Sequence, residues 1–177
     1  LDFSQGALTL AEASLSQAGV QLDHVSRLDL PEEALDRGVP AEPAKMAALI
    51  QAFCTEKKIP AHRSAVVLPP DVAFQRLIEL PSDLTTDQAR EYVIDPANGL
   101  QIPFPLIQTD FDLCPVLPPT KIQIAAGMRL YRVSAVPQMM VDRVIETLQL
   151  AELELQLLEL GHHTLLRTLS LDLLLLS

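Results

Sequence analysis

Positive charge is scarce in this chain: 13 lysines and arginines stand against 23 aspartates and glutamates, for a formal net charge of −10. Non-specific nucleic-acid binding needs a positive footprint, and electrostatic docking on an anionic membrane needs basic residues, so neither fits. No run approaches the roughly 20 apolar residues that span a bilayer, and no signal peptide is visible. Cysteine is nearly absent. Cys54 and Cys114 lie far apart in no ligand-like spacing, which suits a reducing compartment and leaves at most a single disulfide open. The glycine–lysine phosphate loop, the G-x-G-x-x-G turn and the G-x-S-x-G elbow are all missing. No internal repeat of fixed period runs through the chain. The expectation is a soluble cytoplasmic protein that is not an enzyme.

What is present argues for a packed core. Hydrophobic residues make up 49% of the 177 and mean hydropathy is +0.23, enough for one ordinary domain or two small ones. Residues 1–13 and 20–30 read as a hairpin joined near Gln17-Ala18-Gly19. Pro31 through Pro43 reads as an acidic loop with room for one helical turn at Glu32–Asp36. Met46, Leu49, Ile50, Phe53 and Cys54 give 44–58 the stripe of a helix with one buried face. Ala65–Leu68 is a short buried strand.

From Val72 the pattern changes. Val72–Leu80 reads as a strand, and Thr85-x-x-Gln88 is a capping box that starts a helix at Thr86. Asp95-Pro96 should end it. Leu106–Val116 and Ile122–Val133 read as two more strands around Pro118-Pro119, with Gly127 a bulge. Pro137–Leu150 is helical by spacing, Leu153, Leu155 and Leu157 alternate as in a strand, and His162 to Leu176 reads as a last helix. The expected organisation is α/β: 1–70 with 135–177 as one unit, interrupted by an inserted β-α-β-β unit, 71–134.

The candidate chemistry is thin. His162 and His163 are adjacent and point in different directions, and His24 and His62 stand alone, so no metal site is expected. Asp110 and Asp112 share one face of a strand, which a solvated face explains. The turn Asp2-Phe3-Ser4-Gln5-Gly6 leaves Asp2, Ser4, Gln5 and Gly6 as a possible phosphate cradle, since backbone amides in such turns hold anions. An ordinary hairpin turn is the simpler reading. The best candidate is the corner Ile102-Pro103-Phe104-Pro105 with Arg76 and Glu79. Its two prolines fix φ and remove amide donors, and an exposed Phe104 would anchor a partner.

These phrases carry a family resemblance. Leu68-Pro69, then Arg76 through Pro81, then Ile102 through Pro105 followed by Asp110, are similar to the type IV pilus assembly protein PilM family, actin-like relatives of the cell-division protein FtsA. Val133-Ser134-Ala135-Val136-Pro137 and Leu165-Leu166-Arg167 resemble its later passages. The resemblance covers nearly the whole chain. It implies the first lobe of an actin-like, ribonuclease-H-like fold with an inserted subdomain, here as a fragment of a longer protein. It also implies a cytoplasmic scaffold of the pilus inner-membrane assembly complex. That scaffold would capture the N-terminal cytoplasmic peptide of a PilN-type membrane protein, alongside other pilus assembly proteins, in a groove between the main and inserted subdomains.

The departures are specific. Ser4 replaces the family's turn glycine, Leu8 and Thr9 stand where its lysine lies, and Pro96 and Gly99 break a helix that usually runs on. ATP with Mg²⁺ is therefore an expectation for a complete two-lobed protein, with no cofactor expected for this stretch. The competing readings are an actin-like ATPase and an FtsA-like or secretion-type adaptor.

Overall fold

A computed structural model describes residues 1–3, 6–17, 19–60, 62–98, 102–117 and 119–165. They divide into two compact units, Leu1–Val72 with Asp142–Ser177, and Ala73–Val141.

The first unit opens on an extended segment that turns into a hairpin of β1 (Ala7–Ser16) and β2 (Gly19–Asp29). Leu8 and Leu10 of β1 are buried. The antiparallel register slips after Glu12, skipping Asp23. The acidic loop that follows holds the expected helical turn, Glu32–Ala34. It also holds a miniature hairpin of β3 (Leu35–Asp36) and β4 (Val39–Pro40), which two-residue strands leave invisible to periodicity. Helix α1 (Pro43–Lys57) buries Met46, Ala47, Ile50 and Phe53. Pro43 suits its first turn, where no amide partner is needed. It stops at Lys58, in the left-handed region, whose N–H returns to the Cys54 and Thr55 carbonyls. Strand β5 (Arg63–Leu68) then buries Val66 and Leu68.

The second unit follows a 3-10 turn at Pro70–Val72, so its first strand begins two residues later than the apolar pattern suggests. β6 (Phe74–Pro81), β7 (Thr109–Pro115) and β8 (Met128–Pro137) form an antiparallel sheet in the order β6-β8-β7. Helix α2 (Thr86–Ile94) starts at the Thr85–Gln88 capping box and ends at Asp95. Leu80, Leu113, Tyr131 and Val133 from the sheet and Ala89 and Val93 from α2 make the core, with Ile78, Leu84 and Phe111 packed against it.

One expectation is corrected here. Residues 122–125 are not the start of a strand but part of helix α3 (Lys121–Ala125), so the unit runs β-α-β-α-β rather than β-α-β-β. The alternation of Ile122 and Ile124 mimics a strand, yet Thr120 and Gln123 cap each other reciprocally, and two satisfied amides outweigh a short period-two pattern. Gly127 is not a bulge. It takes φ +65° in the turn between α3 and β8.

The chain returns to the first unit through helix α4 (Gln138–Leu150) and strand β9 (Glu154–Leu160). Val144, Thr147 and Leu148 are buried, and the helix closes through Glu152 at φ 60°. β9 lies parallel to β5. Asp2 bridges Thr9 on one side, antiparallel, and Val67 on the other, parallel. The N-terminal segment therefore joins the hairpin to the parallel pair, giving one mixed sheet in the order β2, β1, residues 1–3, β5, β9. Residues 161–165 are helical; the rest of the last helix expected from sequence, Leu166 to Leu176, lies outside the described residues.

Candidate functional site: a groove on the β6 edge

β6 pairs with β8 alone among the described residues, so its other edge carries backbone donors and acceptors outside the ladder. Successive side chains on a strand alternate faces. Ile78 and Leu80 point into the core beneath α2, which puts Arg76 on that side and Gln75, Leu77 and Glu79 on the other. A cavity of about 320 Å³ runs along the strand, touching Arg76, Leu77, Ile78, Glu79 and Leu80 in succession. Its far wall is the end of α2 and the turn beyond it: Tyr92, Val93 and Asn98.

That far wall is held by local chemistry. Asp95 ends α2, and its carboxylate accepts from the Ala97 N–H at 2.9 Å. Asn98 Nδ2 donates to the Tyr92 carbonyl, also at 2.9 Å. The proline that stops the helix thus starts a braced turn. Tyr92 and Asn98 belong to the groove and escaped sequence reasoning. The signal that could have found them was Asp95-Pro96, which fixes where α2 must turn back towards the strand.

The two charged residues expected to act together do different things. Arg76 is exposed on the α2 side. Glu79 Oε1 accepts a 3.1 Å hydrogen bond from Gln123 Nε2, the residue that also caps α3. Glu79 therefore ties α3 to the sheet.

The proline corner is held by its own hydrogen bonds. Ile102 and Phe104 are half-buried, and Pro103 and Pro105 exposed. The Pro105 carbonyl accepts from the Gln108 N–H at 2.9 Å and from Thr109 Oγ1 at 2.8 Å, which locks the corner onto the start of β7. None of Ile102, Pro103, Phe104 and Pro105 lines the β6 groove.

In the first unit, the backbone of Asp2 exchanges hydrogen bonds with Thr9 at 2.9 and 2.8 Å, and Gly6 takes φ +69° in the turn between them. Ser4 and Gln5 lie outside the described residues. Among the described residues no group of three potential metal ligands comes together, and Asp110 and Asp112 are exposed on β7. Also among them, no helix is long and apolar enough to cross a membrane.

A family model described as type IV pilus assembly protein PilM matches residues 1–176. No curated protein sequence matches the chain. Among solved structures, a PilM–PilN type IV pilus biogenesis complex is similar at 24% identity and a TM-score of 0.71, over 88% of this chain and 44% of that one. The cytoplasmic domain of EpsL, an inner-membrane component of the type II secretion system of Vibrio cholerae, is similar at 10% identity and a TM-score of 0.52. That match covers 88% of this chain and 53% of the other. At these identities the likeness shows the fold, an actin-like mixed α/β architecture. The chain spans about half the length of the structures it matches.

Proposed function

The chain belongs to the type IV pilus assembly protein PilM family, and we propose that it acts as a cytoplasmic scaffold that captures the N-terminal peptide of a PilN-type inner-membrane protein. The single observation that carries this reading is the groove on the β6 edge, with Arg76 at its mouth. A strand edge that pairs with no second strand among the described residues can supply main-chain hydrogen bonds for affinity, and the adjoining side chains supply specificity. A related structure was solved as a PilM–PilN complex, which supports a partner of that kind. The chain carries out no reaction in this role and reaches the inner membrane through its partner. We assign any ATP site to the complete two-lobed protein.

The test is fluorescence anisotropy of the full-length protein with a labelled N-terminal peptide of the PilN-type protein. Arg76→Ala should weaken saturable binding while circular dichroism stays unchanged. Phe104→Ala tests the proline corner separately, because that residue stands off the groove. Absence of binding to the wild type, with or without ATP, would sink the reading.

A further inference from the structure

We propose that two copies of this chain pair along the outer edge of β2, antiparallel about a two-fold axis at Val25. β2 ends the sheet of the first unit and pairs with β1 alone among the described residues. One bond fixes which of its backbone groups face outward. The Leu30 N–H donates to the Gly6 carbonyl at 2.9 Å, one step before Ala7 meets Asp29. Hydrogen-bonded and non-bonded pairs alternate along an antiparallel ladder. Leu28, Ser26 and His24 therefore bond to β1, whereas Asp29, Arg27 and Val25 turn their N–H and C=O groups to the outer edge.

The edge is apolar where it is most exposed. Leu22 is 61% and Val25 55% exposed, and they stand across from Ala13 and Ala11 of β1, which are exposed too. Opposed residues share a face of the hairpin, so these four make one uncovered apolar strip. An open edge normally carries a block. Here the register passes over Asp23, and that slip limits regular pairing to the stretch from Asp23 to Arg27 and its counterpart in the second copy.

Charge selects the occupant and the register. Outward groups must meet outward groups, so the two-fold axis passes through a residue and not between two. An axis at Asp23 or Arg27 opposes like charges. One at Ser26 sets Asp23 against Asp29, one at His24 pairs no charges, and one at Leu28 runs past the end of β2 at Asp29. An axis at Val25 sets Asp23 of each copy against Arg27 of the other, with Val25 against Val25. Opposite charges across a strand pair stabilise it and like charges do the reverse. Arg27 already lies 3.4 Å from Asp29 within its own strand, but both side chains are exposed, so that contact costs little to exchange.

The experiment uses the full-length protein with its native thiols replaced by serine. Val25→Cys should form a disulfide-linked dimer under mild oxidation, because directly opposed residues of a bonded pair lie about 5.5 Å apart, within disulfide reach. Arg27→Cys should not, since its counterpart in the second copy lies roughly 14 Å away along the ladder. Light scattering gives an independent arm. Asp23→Arg and Arg27→Asp each oppose like charges and should shift the protein from dimer to monomer, with circular dichroism unchanged. Mixing the two variants sets opposite charges together again and should restore the dimer mass. Linkage at Arg27→Cys as fast as at Val25→Cys, no linkage at Val25→Cys, or a mixture no heavier than its components would overturn the pairing.

Discussion

Arg90 grips Phe111 twice. Its guanidinium donates to the Phe111 carbonyl at 2.8 Å and lies 4.9 Å from the centre of the same residue's ring. One side chain of α2 thereby fixes the backbone and the ring of β7, the strand most distant from the β6 groove in the sheet order. Because Arg90 is exposed, the ion-to-ring term is screened. Arg90→Ala should cost about 1 kcal/mol, read as a lowered urea midpoint. Arg90→Lys should recover part of the ring contact without the planar fork. An unchanged midpoint for both would show that the pair contributes nothing.

Gly38 is the second local constraint. It stands at φ +79° in the turn between β3 and β4, and a Cβ there would run into the Pro69 ring. Gly38→Ala therefore meets two penalties, a left-handed backbone and an overlap, together roughly 1–3 kcal/mol. In a Pro69→Ala background the overlap is relieved and only the backbone penalty remains. The double-mutant cycle should show coupling between the two sites. Strict additivity would refute the close approach.

Some of this architecture was legible from residue order alone, and the reasons are local. Thr85 and Gln88 announce α2 because their side chains satisfy two orphan amides whatever the tertiary context. Thr120 and Gln123 carry the same signature and start α3, although the strand-like spacing of Ile122 and Ile124 hides it in the sequence. Both isoleucines are in fact exposed, so their alternation records no buried face. The insertion of residues 1–3 between β1 and β5 depends on pairing partners over 60 residues away, which no window of sequence contains. At the groove, Arg76 was recoverable from its place in an apolar strand. Phe104, grouped with Arg76 in the sequence reading, does not line the same cavity, and no local pattern relates two positions so far apart in the chain.

The thiols give a pH-dependent prediction. Burial pushes the Cys54 thiol above its ordinary value, with the charge of Glu12 adding to it. Burial also raises Cys114, helped by its hydrogen bond to Asp112 and that residue's charge and opposed by Arg132. A folded value above the unfolded one means the stabilisation is complete below the unfolded thiol pKa. It is lost as pH climbs through the folded value. Urea midpoints measured in steps from neutral into the alkaline range should fall more steeply for wild type than for the Cys54→Ser, Cys114→Ser double variant. Parallel slopes would rule out a thiol contribution.

Arg76 and Glu79 provide the sharpest separation of binding from stability. They stand three apart on one strand and so lie on opposite faces. Arg76 borders the groove, whereas Glu79 holds the largely buried Gln123. Arg76→Ala is a surface change and should leave stability within about 0.5 kcal/mol while lowering peptide affinity by about tenfold. Glu79→Ala strands a buried amide and should cost about 1–2 kcal/mol of stability, with peptide affinity nearly intact once the protein is held well below its melting temperature. Thermal melts and anisotropy titrations on the two variants decide the matter. If Glu79→Ala lost the peptide and Arg76→Ala lost the fold, the strand would have to present its other face to the ligand, and the groove beneath α2 would not be the binding site.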